Sequence, residues 1–344
     1  MLKPVLRKAL VKAANNSLTS KVMGPLRRCH VPVFMLHRME DSERGVKGHS
    51  PDFLRTCLSY LKEKNYNFLS LDQLIQGLDG KASIPDKSVV FTIDDGFIEQ
   101  ATIAVPIFEE FGCPVSIFLL GNFSSEISWP WDYQIEYIIN TTKFKSIDFK
   151  NDKLELKHSI SSQFKRRKLI RYIRDRLKKT STENAQSSVN QLAVQLQVEV
   201  NSKPPESYLP ITWEFARRCE SSLIQFGPHT MDHSILAFQS NEQSETEVIK
   251  SWDILEKELA NPLNVMCYPT GRLGVDFGER EIGIVRDNGF RAGLSVTPGF
   301  VDLRKAGSED NRYNLQRFGL PDTMDEFIQL CSWVEVAKEK IRGK

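Results

Sequence analysis

A chain of 344 residues can bury one large core or two ordinary ones, so length alone imposes no division into domains. Hydrophobic content of 40%, charged content of 26% and a formal net charge of +2 fit a soluble globular protein and give no general ground for nucleic-acid binding. No apolar run approaches the roughly 20 residues that span a bilayer, and six scattered cysteines without a CxxC fit reduced thiols in a cytoplasmic protein rather than a disulfide or zinc-finger framework.

Residues 1–30 open with "MLKPVLRKALVKAANNSL", a basic amphipathic segment with Leu2, Val5, Leu6, Ala9 and Leu10 on one side and Lys3, Arg7, Lys8 and Lys12 around them. It lacks the continuous apolar core and cleavage site of a secretory signal. Packing on the domain is one reading, and peripheral membrane contact is the other. From residue 31 onward strands and helices alternate. "VPVFMLH" is a strand, and "SPDFLRTCLSYLKEKN" is a helix with Ser50 as N-cap and Pro51 at its first position. A strand over Val89–Ile93 runs into Asp94, Asp95 and Gly96, followed by a helix across 98–111 and the strand "CPVSIFLL". Later come the helix "ITWEFARRCE", the strand "LIQFG", the helix "NEQSETEVIKSWDILEKEL" and the strand "LNVMCYP". The helical "GEREIGIVRDNGF", the strands "RAGLSVTPG" and "YNLQRFGL", and a C-terminal helix from near Thr323 complete the order. Such alternation implies parallel strands with crossover helices, as a closed barrel or a doubly wound sheet, with functional residues at the C-terminal strand ends.

The rhythm breaks at about 122–210, which is read as an insertion. Its start, "SWPWDYQIEYII", is aromatic; "FKRRKLIRYIRDRLKK" is a strongly basic helix; "STENAQSSVNQ" is polar and expected to be mobile. The basic helix offers either a solvated face or a surface for an anionic group or lipid. Trp129, Trp131 and Tyr133 leave the scaffold on the C-terminal side of the strands, where they either pack on sugar rings or anchor the insertion to the barrel.

Two adjacent carboxylates at the end of a core strand repel each other unless they share a cation or proton, although Asp-Gly is also an ordinary turn dipeptide. Partners come from "GPHTMDH": His229 and His233 lie four residues apart just after another strand end, close enough to share one metal ion. With one carboxylate from Asp94 or Asp95 they make a two-histidine, one-aspartate set with an open position, and the other carboxylate is left as a base.

The blocks "TIDDG" and "HTMDH" resemble the TFDDG and HTxxH hallmarks of the polysaccharide deacetylase family (carbohydrate esterase family four, the NodB-homology domain), of which this chain looks like a divergent branch. Weaker similarity extends over about Val31 to Asp322 outside the insertion. The resemblance implies a distorted parallel (β/α) barrel over 31–344, interrupted by the basic helical insertion. It implies a metal-dependent hydrolase that removes an N-acetyl group from an amino sugar of a glycan or of a lipid- or nucleotide-linked precursor. The alternatives are a non-catalytic glycan-binding barrel and an O-deacetylase or deformylase of the same fold. By the same resemblance Asp94 is the general base, and Asp95, His229 and His233 hold a divalent metal ion. Zinc is favoured, with cobalt, nickel or manganese as alternatives. The backbone N–H of Thr270, in "CYPTGRLG", is the oxyanion donor. Two positions depart from the pattern. The family's base-orienting arginine aligns with Cys267, leaving Arg272 or Arg38 as substitutes. The late histidine that protonates the leaving amine aligns with Arg317, leaving His37 as the candidate acid. Arg272 and Arg317 are then expected to contact substrate.

Overall fold

The computed structural model describes residues 10–14, 16–305 and 308–341. Most of the expected N-terminal amphipathic helix lies outside the described residues. Among those described, no helix is long and apolar enough to cross a membrane.

The apolar runs become strands because β-branched and aromatic residues suit a pleated surface buried on both sides. β1 (Val33–Leu36), β2 (Ser88–Ile93), β3 (Val115–Leu119) and β4 (Ile224–Pro228) lie side by side and parallel. β5 (Met266–Cys267) and β6 (Gly293–Leu294) form a second parallel pair, and β7 (Phe318–Gly319) returns to β1. The Leu263 N–H donates to the Phe226 carbonyl at 2.7 Å, and Leu294 bridges Leu315 just ahead of β7. The strands therefore follow one another around a distorted ring. The last two are shorter than their apolar runs suggest; just beyond β6 the Val296 N–H turns to the Gly271 carbonyl.

Register fixes what each face buries. Phe318, Phe34, Phe91, Val115 and Ile224 stand in one row and pack with Leu58 and Leu61 of helix Pro51–Glu63 and Phe108 of helix Val105–Phe111. The alternate residues Val33, Val90 and Phe118 join Val265, Leu294, Leu315 and helix Leu71–Leu78 in a second cluster. Helix Pro51–Glu63 starts as its sequence dictates, with the Ser50 hydroxyl accepting from the Phe53 N–H and Pro51 in the first turn. The helix expected across 98–111 opens instead with a wide π turn, Gln100–Ala104. Such turns are concentrated at functional sites, and this one follows the Asp-Asp-Gly corner directly.

The insertion has its own core. Helices Trp131–Thr141, Gln163–Leu177 and Thr182–Gln195 and an antiparallel hairpin, Ser146–Lys150 with Glu155–Ser159, enclose Trp131, Ile138, Phe149, Leu156, Ile173 and Leu192. The polar stretch expected to be mobile is the last of these helices. Ser181 caps it, and Ala185, Val189, Leu192 and Ala193 recur at helical spacing on its buried side, so a few apolar positions order an otherwise polar segment. The hairpin was not anticipated.

Trp131 is only 3% exposed and belongs to this core. Trp131→Ala should therefore cost about 3–5 kcal/mol of stability, the usual range for an aromatic truncated in a core. A thermal melt checks this; a raised KM with an unchanged midpoint would return the ring to the substrate.

Candidate metal centre and catalytic site

β2 delivers Asp94 and Asp95 to the C-terminal end of the ring, where they are 1% and 2% exposed. The corner is tight. Asp95 has φ +82° and Gly96 φ +78°, and a Cβ on Gly96 would meet Leu119 Cδ2 at 2.8 Å, so the left-handed backbone and the close leucine both favour glycine there. Thr230 (φ +71°), His233 (φ +57°) and Thr270 (φ +54°) are also left-handed. Such conformations cost about 1–3 kcal/mol each and persist where the surroundings over-determine them. Two of these loops, carrying Asp95 and carrying His229 and His233, meet at one point.

Asp95 Oδ1 is that point. It has no hydrogen-bond partner although it is buried. His229 Nε2 lies 3.5 Å from it and His233 Nε2 3.6 Å. The opposite ring nitrogens are held from behind: His229 Nδ1 is 2.7 Å from the Cys267 carbonyl, and His233 Nδ1 is 3.5 Å from Asp132 Oδ1. The Tyr133 hydroxyl donates to Asp95 Oδ2 at 2.8 Å. His229 and Asp95 thus each have a hydrogen-bonded supporting partner, as in metal sites generally, and Asp132 is an ion-pair neighbour of His233.

The electrostatics ask for positive charge. Burial alone would lower both imidazoles, yet Cys267 and Asp95 raise His229 to about 10, and Asp132 and Asp95 raise His233. Asp95 is itself held well below the ordinary carboxylate range, with the imidazoles outweighing burial. An orphaned carboxylate oxygen, two imidazole nitrogens converging on it, and a pocket that stabilises cations fit a divalent ion.

Beside it, Arg317 grips Asp94. Nη1 donates to Oδ1 and Nη2 to Oδ2, both at 2.8 Å. Nε donates to the Ser295 carbonyl at 2.9 Å, and further contacts reach Thr92 Oγ1 and Cys267 Sγ. Burial would raise the Asp94 carboxyl, but the guanidinium overrides it and holds the group below its ordinary value. Arg317 is fully buried under the base and is not placed to contact substrate as expected. Arg272 is not there either: its guanidinium clasps Asp276 at 2.7 and 2.9 Å. Arg38 is turned to Glu99 and lies 3.8 Å from the Phe97 ring.

His37 ends β1 with Nε2 4.0 Å from Asp94 Oδ2 and 42% of its side chain exposed. Gln100, in the π turn, donates to the carbonyls of His37 (2.5 Å) and Asp94 (2.6 Å). Thr270 lies on the loop after β5. Sequence reasoning missed Gln100 and Asp132, for neither belongs to a block with a signature.

The aromatic residues expected in the cleft divide. Tyr133 touches the site through its hydroxyl rather than offering a ring face. Trp129 is 3% exposed, donates Nε1–H to the Asn201 carbonyl and packs on Tyr137 and Tyr208 within the insertion, and it shares a small buried cluster with Phe97 of the barrel. Both tryptophans border a cavity of about 620 Å³ that also takes in Gln134, Asn190 and Asp232, but not Asp94, Asp95, His229 or His233.

Comparison with known proteins bears on this site. A family model described as polysaccharide deacetylase matches residues 166–293, a span that contains His229, His233 and Thr270 and starts inside the insertion, after Asp94 and Asp95. Over that stretch, a little more than a third of the chain, the protein is similar to the polysaccharide deacetylase family. Two curated relatives, the poly-beta-1,6-N-acetyl-D-glucosamine N-deacetylases of Escherichia coli strain K12 and Escherichia coli O157:H7, are each 28% identical over 103 residues. That match covers 29% of this chain and only 15% of either relative. Among solved structures, the Streptococcus pyogenes deacetylase PplD in complex with acetate superposes with a TM-score of 0.56 at 16% identity, covering 88% of this chain and 98% of that one. IcaB from Ammonifex degensii gives 0.55 at 16%, covering 89% and 97%. These likenesses establish the fold, the family's distorted (β/α) barrel.

Proposed function

We propose that this chain is a polysaccharide deacetylase, a divalent-metal-dependent amidohydrolase that removes the N-acetyl group of an amino sugar in a glycan or glycan precursor. The observation that carries the reading is the convergence of His229 and His233 on Asp95 Oδ1 beside a second carboxylate, Asp94, held by a buried arginine. Asp95, His229 and His233 would hold the ion, and the mixed nitrogen and oxygen donor set favours zinc while leaving cobalt, nickel and manganese open. A bound divalent ion supplies Lewis acidity, acidifying water towards neutrality and polarising a carbonyl.

The chain's own groups divide the remaining work. Asp94 is the base: its carboxylate is kept ionised by Arg317, so it is ready to accept a proton from attacking water. The Thr270 N–H is assigned to the oxyanion that develops as the acetamide carbonyl becomes tetrahedral. His37, the half-exposed imidazole 4.0 Å from Asp94, is assigned the proton that must reach the departing amine. Arg317 is a positioning residue, and Tyr133 and Asp132 position the ligands.

The test is acetate release from defined N-acetylhexosamine oligomers by metal-loaded protein, before and after chelation. Release that is lost on chelation and returns with the ion supports the reading. Glycan binding with no acyl group released from any amide or ester would make the chain a non-catalytic barrel, and release from esters alone would make it an O-deacetylase. We place the reaction on a lipid- or nucleotide-linked precursor on the cytoplasmic side of a membrane, in keeping with the free thiols at Cys29, Cys57, Cys113, Cys219, Cys267 and Cys331. Fractionation with a periplasmic marker would overturn that placement.

A further inference from the structure

The chain's near-neutral total hides a segregation of charge. Residues 143–179 carry fourteen lysines and arginines against four aspartates and glutamates, a net +10, so the remainder of a chain of net +2 carries −8. The cations belong to the insertion and are sorted by the helix Gln163–Leu177. Leu169, Ile170, Ile173 and Leu177 face its core. Arg166 and Arg174 turn inward, donating to the carbonyls of Ile139, Thr142 and Asp132, and Arg174 also pairs with Glu136. Phe164, Arg167, Lys168 and Arg171 follow the i, i+3, i+4, i+7 spacing of the opposite, outer face, and all four are exposed. Among the described residues, none of Arg167, Lys168 and Arg171 has a carboxylate partner.

Phe164 is 77% exposed, on a face that gains nothing from an aromatic ring in water. A second exposed ring, Phe144 at 42%, lies at the same end of the insertion between Lys143 and Lys145. The Ile160 N–H donates to the Lys145 carbonyl at 2.8 Å, and Arg166 Nη2 reaches the Thr142 carbonyl at 3.3 Å, which draws 142–145 against the start of the helix. Clustered cations alone would suit any polyanion. Cations interleaved with exposed aromatic rings suit an interface that offers both anionic headgroups and an apolar layer beneath them.

We infer that this end of the insertion docks the protein on an anionic phospholipid surface, with Phe164 and Phe144 entering the headgroup layer and Lys143, Lys145, Arg167, Lys168 and Arg171 against the lipid phosphates. The inner side of the same insertion supports Asp95 and His233 through Tyr133 and Asp132. The docking surface and the supports of the metal centre are thus built on one small core.

The experiment is sedimentation of the full chain with phosphatidylglycerol vesicles and with phosphatidylcholine vesicles. Partition onto the anionic vesicles alone is expected, and its loss at about 1 M salt, where the screening length falls to about 3 Å. Each cation near an anionic surface contributes about a fivefold factor in partition, so the triple variant Arg167→Glu, Lys168→Glu, Arg171→Glu should lose about a hundredfold or more. Phe164→Ser should weaken anionic-vesicle binding several-fold while leaving binding to soluble polyphosphate unchanged. All four positions are exposed, and an unchanged melting temperature verifies the fold. Absence of vesicle binding, equal binding to both lipids, or undiminished binding by the triple variant would overturn the inference. Retention on polyphosphate without vesicle binding would overturn it in favour of a soluble polyanion. No readout uses turnover, so this result is separable from the fate of the proposed deacetylation.

Discussion

Arg317→Met is expected to destabilise the protein by about 3–5 kcal/mol, the range for removing one partner of a buried ion pair. Methionine fills much of the same volume but leaves the buried Asp94 carboxylate without its two hydrogen bonds from the guanidinium. Urea unfolding of the two forms at neutral pH measures the difference. The pH dependence gives the sign. Asp94 has its folded-state pKa depressed below its unfolded value, so the stability it contributes is present above the ordinary carboxylate pKa of about 3.9 and is lost as pH falls through the folded value. In the variant burial acts without the guanidinium and the Asp94 pKa rises. The proposed base must be ionised, so the acid limb of the activity profile should move to higher pH. A profile that keeps its position while overall activity falls would show that Arg317 supports only the fold.

Asp94→Asn should lower acetate release by about 10²–10⁴-fold, the contribution of a positioned general base. Asparagine keeps the shape but cannot take a proton at neutral pH. Asp95, His229 and His233 are untouched, so the variant should still bind one equivalent of zinc when measured by metal analysis after dialysis. Because the substitution also leaves Arg317 without its counterion, the assay belongs at a temperature well below the variant's melting midpoint. Retained turnover with full metal content would remove Asp94 from the role of base. Loss of the metal together with turnover would mean that the two carboxylates act as a single ligand unit.

Sequence legibility followed the locality of each feature. The two carboxylates and Gly96 were readable because the chemistry and the backbone corner occupy consecutive residues. His229 and His233 were readable because four residues suffice to bring two imidazoles together. Arg317 was misassigned because its partner is 223 residues away, and nothing near Leu315, Gln316 and Arg317 indicates which side of the last strand the guanidinium takes. Alternation of apolar runs with helical patterns revealed the parallel ring, but not that β5, β6 and β7 would each pair over only two residues. The helix over 182–195 was hidden by its composition. Small and amide-bearing residues read as a linker until one sees that Ala185, Val189 and Leu192 meet a core supplied by other parts of the insertion. The hairpin between Ser146 and Ser159 was obscured in a similar way, since charges alternate with Ile147, Phe149, Leu156 and only a partner surface makes that alternation meaningful.

Helix Trp131–Thr141 belongs to two cooperative units at once. Its Trp131, Ile135 and Ile138 are part of the insertion's core, while Asp132 and Tyr133 hold His233 and Asp95 of the barrel. An ion that binds only when those four side chains are in place binds only when the insertion is folded, so its binding free energy is shared with a segment it never touches. By mass action, free ion at 100 times its dissociation constant would add about 2.7 kcal/mol to the folded state. Conversely, spontaneous opening of the insertion sets a lower limit on how fast the centre can lose its metal. If the proposed ion binds there, its residence time could be no longer than the interval between such openings of residues 131–198.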